Sequence, residues 1–110
     1  MIIDYNEISE EILTNFKGGK GLLVTRNFID ANNKIMMSRL APGASSGYHK
    51  HEDNSEIVYI IDGNGHFLYD DKIENFSSGD VHYCPMGHCH AMFNDGDKDL
   101  VYFAIVPQHY

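Results

Sequence analysis

The sequence predicts an all-β domain with a short helix at its N-terminus. Three observations lead to that fold class. After residue 21, short runs rich in Val, Ile, Tyr and Phe follow one another; clusters of Gly, Pro, Asn, Asp and Ser separate these runs; and only one segment has helical periodicity. Many short strands at regular spacing are typical of a β-sandwich or a β-barrel. The chain has 110 residues, 43% of them apolar, which suits one domain with one hydrophobic core.

The segment with helical periodicity is residues 5–16, YNEISEEILTNF. Ile8, Ile12 and Phe16 are spaced four apart, as on one face of an α-helix, and a serine followed by two acidic residues is typical of a helix start. The glycine-rich segment KGGKG that comes next would end the helix. We therefore expect a short helix over residues 5–16, packed on the edge of the β-structure.

The segments that follow are predicted to form a barrel over residues 20–107, within a single domain of residues 1–110. They share β-branched and aromatic residues and end at turn clusters. The turn sequence DGNG between two apolar runs, at residues 62–65, predicts a hairpin. The predicted strands are Leu22–Phe28, Lys34–Leu40, Gly47–His51, Glu56–Asp62, His66–Tyr69, Lys72–Phe76, Val81–Cys84, His90–Phe93 and Leu100–Val106.

The stretch GYHKHEDNSE concentrates groups that bind metal ions. On a strand, His49 and His51 project to the same side, and Lys50 projects to the other. Glu56 opens the next strand after a polar turn, so its carboxylate could return to the same face across a hairpin. His90 begins another strand and is a fourth candidate. Imidazole and carboxylate are common ligands of first-row transition metals.

Composition excludes several classes of partner and location. The net charge of -8 repels phosphate backbones and anionic lipids, so we expect neither nucleic acid nor membrane as a partner. No apolar run approaches the roughly 20 residues of a membrane helix, and the acidic N-terminus does not resemble a signal peptide. Cys84 and Cys89 are too few and too close for a disulfide framework. These features predict a cytoplasmic protein.

Two longer patterns contain the same residues, and through them the chain resembles the cupin superfamily. The first pattern is G-x5-H-x-H-x(3,4)-E-x6-G and the second is G-x5-P-x-G-x2-H-x3-N. Every defining position is filled at the expected spacing, over residues 43 to 94. The positions are Gly43, His49, His51, Glu56 and Gly63 in the first pattern, and Gly79, Pro85, Gly87, His90 and Asn94 in the second.

The resemblance implies a double-stranded β-helix, also called a jelly-roll barrel. It implies that His49, His51, Glu56 and His90 converge on one divalent transition metal: Fe, Mn, Ni, Zn, Co or Cu. Two coordination positions would stay open for a ligand. The resemblance also favours a metalloenzyme that acts on a small polar molecule in the barrel interior, of dioxygenase, isomerase or lyase type. The alternative is a non-catalytic cupin that binds or senses a small ligand.

Residues that would carry catalysis are not identified by either pattern. Four candidates lie on the strands of the patterns or next to them: Glu56, Tyr59, His82 and Tyr83. Alternation places either His82 or Tyr83 in the cavity. Tyr48 and Tyr102 are further phenols that either line the cavity or pack with a wet hydroxyl. Arg39 is the better placed of the two arginines to clamp a carboxylate ligand.

The last predicted strand, LVYFAIV at residues 100–106, is apolar on both faces. A strand in the wall of a barrel has one face toward the core, so the second apolar face needs a cover. Small cupins that resemble this chain commonly pair through such strands. We therefore expect a homodimer.

Overall fold

The computed structural model describes all of residues 1–110 and consists of ten strands in two antiparallel sheets. The strands are β1 Glu11–Thr14, β2 Leu22–Ile29, β3 Asn33–Leu40, β4 His49–Lys50, β5 Glu56–Asp62, β6 Asn64–Tyr69, β7 Lys72–Ser77, β8 Val81–Cys84, β9 Cys89–Asn94 and β10 Leu100–Pro107. The larger sheet has the order β1-β2-β3-β10-β5-β8, and the smaller one has the order β4-β9-β6-β7. The predicted all-β jelly-roll fold is confirmed.

The core lies between the inner faces of the two sheets. Strand β10 shows the alternation that builds it: Leu100 and Ala104 are fully buried, whereas Phe103 and its outward neighbours are only half-buried. Val58 and Phe67 meet in the same core from β5 and β6. All nine predicted strands are present, with ends that differ by one or two residues. No helix in the structure is long and apolar enough to cross a membrane.

The helix predicted over residues 5–16 is wrong. The structure has two single 3₁₀ turns, Tyr5–Glu7 and Phe16–Gly18, with strand β1 between them. Ile12, which the helical pattern would bury, is 67% exposed. A helix of three turns is marginal in isolation, whereas β1 pairs in register with β2 and packs Leu13 against the core. Tertiary pairing therefore overrides the local pattern.

The hairpin predicted at DGNG is also wrong, because β5 and β6 belong to different sheets. The chain crosses from one sheet to the other at Gly63, which has φ +121° and lies against Leu100. The hairpins of the fold are β1–β2, β2–β3 and β6–β7. The connection before Glu56 is not a hairpin either, because β4 and β5 also belong to different sheets, and Glu56 therefore reaches His49 from the opposite sheet.

Two polar contacts fix loops of the barrel. The amide nitrogen of Asn94 donates to the carbonyls of Leu40 and Lys98, at 2.9 Å each, so this residue closes a turn through its side chain. The turn after β1 is held against the segment before β4, because Gly47 donates its backbone N–H to the carbonyl of Phe16 at 2.9 Å. A side chain at position 47 would collide with the backbone of this turn.

Candidate metal centre

Four side chains converge between the two sheets at the inner end of a cavity. They are His49 of β4, His51 just after it, Glu56 at the start of β5 and His90 of β9. One nitrogen or oxygen of each lies within 4.8 Å of those of the other three. His49 and His90 are direct partners in the β4–β9 ladder, which places their rings side by side. Glu56 completes the group from the other sheet.

The distances between these atoms fit a transition-metal ion. The Nε2 atom of His90 lies 3.0 Å from Nε2 of His51 and 3.2 Å from Nε2 of His49. Oε1 of Glu56 lies 2.9 Å from Nε2 of His90 and 3.3 Å from Nε2 of His51. Bonds of about 2.1 Å to an octahedral ion separate neighbouring ligand atoms by about 3.0 Å, and a tetrahedral ion by about 3.4 Å. The short spacings favour the octahedral arrangement.

Hydrogen bonds behind two of the rings show which nitrogen carries the proton. Nδ1 of His49 lies 2.7 Å from the carbonyl oxygen of Gly47, and Nδ1 of His51 lies 2.6 Å from Oδ1 of Asn54. Both oxygens only accept, so each Nδ1 donates and each Nε2 keeps its lone pair. The lone pairs point at the centre of the group beside a carboxylate. Such a convergence of acceptors fits a bound cation, and the residues present therefore suit the divalent metal.

A third ring is supported differently. Nδ1 of His90 lies 3.0 Å from Nε2 of His82, and Nδ1 of His82 lies 3.0 Å from Oε1 of Glu74. His82 is therefore the member of the His82 and Tyr83 pair that faces inward. Its ring stacks on Phe67, with centroids 3.6 Å apart and planes within 10°.

Comparison with known proteins shows the family of the chain. The family described as Cupin domain matches residues 36–106. The chain belongs to the cupin family. An oxalate-binding protein from Thermotoga maritima is 34% identical to this cupin over 112 residues, which cover 96% of this chain and 93% of that protein.

Solved structures show the same relationship. The crystal structure of a predicted oxalate decarboxylase from Thermotoga maritima has a TM-score of 0.91 and 32% identity, covering 98% of this cupin and 99% of that chain. A polyketide cyclase from Streptomyces resistomycificus has a TM-score of 0.79 at 18% identity, covering 97% of this cupin and 78% of that chain. The second likeness concerns the fold alone.

Burial and neighbouring charges set the protonation of the group in this cupin. Burial lowers the pKa of His49 to about 4. Burial alone would also lower the pKa of His51, but hydrogen bonds to Glu56 and Asn54 outweigh it and raise that pKa. For Glu56 the balance is reversed: burial would raise its pKa, and its close contacts with the His51 and His90 rings, which attract the carboxylate whenever a ring is protonated, lower that pKa far below the usual range. The carboxylate is thus charged at neutral pH.

A cavity of about 390 Å³ leads from the group to the barrel mouth. Its inner wall carries hydroxyl groups: the side chains of Thr25 and Ser38 are hydrogen-bonded at 2.7 Å, and Tyr102 is buried nearby. Burial raises the pKa of Tyr102, and the charge of Glu56 raises it further. The phenol therefore stays protonated. Lys17 borders the mouth, and its charge reaches far enough to lower the pKa of His49.

Four of the residues singled out in the sequence lie on the outside of the barrel, among them Tyr48, which is 51% exposed and does not line the cavity. Tyr59 and Tyr83 are 45% and 55% exposed on the outer face of the larger sheet, so neither is positioned for catalysis in the cavity. Arg39 is not a carboxylate clamp, because its guanidinium pairs with Glu10 at 2.8 Å and Asp99 at 3.6 Å on the outside. Strand alternation sends these side chains outward.

Sequence reasoning missed other residues of the site. Asn54 lies in the polar turn before β5, and Asn in such a turn often bonds to nearby groups through its side chain, which is a signal for its contact with His51. Lys17 lies in a segment interpreted as a helix stop, and its backbone has φ +52°, unusual for a residue other than glycine. Glu74 gives no signal, because it comes from a strand of the smaller sheet that neither pattern includes.

Proposed function

We propose that this cupin binds a divalent transition metal through His49, His51, Glu56 and His90 and uses it to hold a small dicarboxylate such as oxalate. The observation that carries the proposal is the convergence of three imidazoles and one carboxylate in the lining of a cavity. Four ligands of an octahedron leave two neighbouring or opposite positions free. The name of the Thermotoga maritima relative, an oxalate-binding protein, supports oxalate as the first ligand to test.

The charges around the site support a dianionic ligand. Three neutral imidazoles and the Glu56 carboxylate sum to one negative charge, which a divalent metal converts to one positive charge. A monoanion would neutralise the site, whereas a dianion needs one further cation. The cavity lining holds three lysines, Lys17, Lys34 and Lys50, and outside the ligand group three carboxylates, Glu11, Glu52 and Asp53. Lys17 supplies the cation, because it is the lysine whose charge acts on His49 and His51 and no carboxylate pairs with its ammonium group. The hydroxyl of Tyr102 offers a hydrogen bond to a carboxylate oxygen of the ligand, whereas Thr25 donates its proton to Oδ1 of Asn27 and accepts from Ser38.

A second candidate function is enzymatic, and Tyr102 favours it. The phenol is buried, protonated and close enough to Glu56 for that charge to raise its pKa. A proton donor beside the metal would permit decarboxylation of oxalate, in which the C–C bond breaks, carbon dioxide leaves and the remaining carbon takes a proton to give formate. The metal would polarise the carboxylate and stabilise its charge. Glu56 would stay a ligand in this reaction.

One experiment separates these functions from each other and from an inactive scaffold. Protein purified without chelator is analysed for metal, and oxalate, formate and succinate are titrated into the loaded and metal-free forms by calorimetry. We expect near-stoichiometric metal and metal-dependent oxalate binding that is stronger than formate binding. Release of carbon dioxide and formate from oxalate would establish the enzyme, and its absence would leave a binding protein. A loaded protein that ignores oxalate contradicts the proposal.

We also propose that two copies of the chain pair through the outer face of the larger sheet. Two adjacent rows of apolar side chains cross four strands of this face, and the residues of β5 and β8 in them are between 39% and 64% exposed. Apolar surface this continuous is typical of a self-complementary interface. The rows are Met37, Phe103, Tyr59 and Val81, and Ile35, Ile105, Ile57 and Tyr83.

Light scattering at micromolar concentration tests the dimer. We expect twice the 12.5 kDa mass of the chain, and a monomer when Ile57 and Tyr83 are both replaced by glutamate. Wild-type protein that is already monomeric at that concentration contradicts the proposal.

A further inference from the structure

His82 and Glu74 form a polar connection between the interior of the barrel and its surface. The His82 side chain is 5% exposed on the inner face of β8, and Glu74 is 48% exposed at the edge of the smaller sheet. Glu74 is the ladder partner of Phe67, so both side chains lie on one face. Phe67 in turn stacks on the His82 ring and fixes its plane. We call these two residues the Glu74–His82 relay.

The direction of each hydrogen bond in the relay follows from its outer end. The Glu74 carboxylate only accepts, so Nδ1 of His82 donates to it and Nε2 of His82 keeps a lone pair. That lone pair accepts from Nδ1 of His90, so the proton of His90 is on Nδ1 and its Nε2 is free. The free Nε2 faces His49 and Glu56 at 3.2 Å and 2.9 Å.

We propose that Glu74 and His82 are positioning residues that set the tautomer of His90 and so prepare its Nε2 for the metal. The inference rests on the proposed metal site. His49 and His51 need no such help, because the oxygens behind them only accept. His90 is different, because the imidazole behind it can donate or accept, and only the carboxylate at the far end decides which.

Reversal of the hydrogen-bond directions in the relay would hinder metal binding. If Nε2 of His82 carried the proton, it would donate to Nδ1 of His90, and the proton of His90 would move to Nε2. An N–H would then point into the group of ligand atoms where the ion has to bind. A carboxylate at position 74 makes this state unfavourable, because Nδ1 of His82 would then present a lone pair to a negative charge.

The chain offers a matched control for a test of this inference. His66 and Asp95 form a similar pair on the surface, with Nδ1 to Oδ2 at 2.6 Å, and Asp95 is 46% exposed, close to the value for Glu74. This second pair has no hydrogen bond to any of the four ligand residues. Substitution of Asp95 therefore changes charge and a histidine–carboxylate pair without reaching the metal site.

The experiment compares Glu74→Ala, Glu74→Lys and Asp95→Lys with the wild-type protein. Two-bond nitrogen–proton NMR correlations of the metal-free proteins report the tautomer of each histidine, and competition titration gives the affinity for Co²⁺. We expect wild-type His90 to carry its proton on Nδ1. Glu74→Ala should weaken Co²⁺ binding about 10-fold, and Glu74→Lys, whose ammonium donates to His82, about 100-fold with the His90 proton on Nε2. Asp95→Lys should match the wild type.

Two results would overturn the inference. One is a proton on Nε2 of His90 in the metal-free wild-type protein; the other is Co²⁺ affinity in Glu74→Lys equal to that in Asp95→Lys. Failure of the metal-site proposal looks different, because the wild-type protein would then not bind Co²⁺ at all. The NMR comparison needs no metal and tests the relay in that case too. Because Glu74 is half-exposed, these variants keep the core intact, and thermal melting checks that they are folded.

Discussion

The two sides of the four-ligand group are anchored in different ways. On the β4 side, His49 and His51 are oriented by oxygens two and three residues away in the chain. On the β9 side, His90 is oriented by the Glu74–His82 relay, whose members come from two other strands. The backbone carbonyl of Gly47 anchors His49 whatever the side chains are, whereas Asn54, His82 and Glu74 occupy positions that neither pattern specifies and can be lost while both patterns stay complete. A complete pattern therefore does not guarantee a metal site of full affinity.

Removal of a ligand should have the largest effect on either side. We expect His51→Ala to lose bound metal almost completely, because it deletes one of four ligand atoms and leaves Glu56 without a partner at 3.3 Å. Elemental analysis of the purified variant checks this. Lys50→Ala is the control, since Lys50 is exposed and its side chain is not part of the group. Equal metal loss in both variants would show that β4 has a different register.

The ligand group itself was accessible from the sequence, and its anchors were not. Alternation on β4 placed His49 and His51 on one side, and the paired patterns added Glu56 and His90. The patterns could not show that Glu56 comes from the opposite sheet, because a polar turn such as EDNS, at residues 52–55, suits a hairpin and a crossing between sheets equally well. Glu74 was out of reach, since its role depends on the pairing of β6 with β7 and on no local signal.

Strands were predicted more reliably than the N-terminal segment, for a physical reason. Most strands here have an inner and an outer face, so the period of two is written into their residues. Strand β1 lies at the edge and buries little, with Ile12 exposed and only Leu13 packed inward. Its spacing of apolar residues therefore fits a helix as well as a strand. The pairing with β2 determines that the segment forms a strand.

Loss of Asn54, the local anchor of His51, should weaken metal binding less than loss of a ligand. We expect Asn54→Ala to weaken Co²⁺ binding about 10-fold, since Nδ1 of His51 loses the oxygen 2.6 Å away that holds its tautomer. Asn54→Asp keeps an accepting oxygen and should retain the wild-type affinity. Competition titration of the two variants measures the difference. Equal weakening by alanine and aspartate would mean that Asn54 acts on the turn and not on the ring.

Substitution of Lys17 at the cavity mouth should weaken binding of the dicarboxylate without changing the metal content. We expect Lys17→Gln to weaken oxalate binding about 10-fold, equal to about 1.4 kcal/mol, with unchanged metal content. Lys20→Gln is the matched control, because Lys20 is equally exposed and does not line the cavity. Calorimetry on the metal-loaded proteins gives both affinities. A loss of metal in Lys17→Gln, or an equal loss of oxalate affinity in Lys20→Gln, would contradict the role given to Lys17.

The smallest effect is a pH dependence to which both sides contribute. Burial lowers the pKa of His49 and of His82 to about 4, from 6.5. Between pH 6.5 and pH 4 the unfolded chain therefore binds more protons than the folded one, and stability falls as the pH is lowered through this window. Because the pKa of Glu56 is lowered, its carboxylate keeps its stabilising contribution until the pH is more acidic. The raised pKa of His51 has the opposite effect on stability, because the stabilisation that the protonated ring provides is lost as the pH rises.

Urea unfolding of the metal-free protein between pH 7.5 and pH 4.5 measures this balance. We expect the free energy of unfolding to decrease toward acid, and His49→Gln to flatten the decrease by removing one of the two groups that resist protonation. His66→Gln is the control, since His66 lies at the surface outside the group. If stability instead rose toward acid, the raised pKa of His51 would dominate the window. The β4 side alone would then determine how the empty site responds to protons.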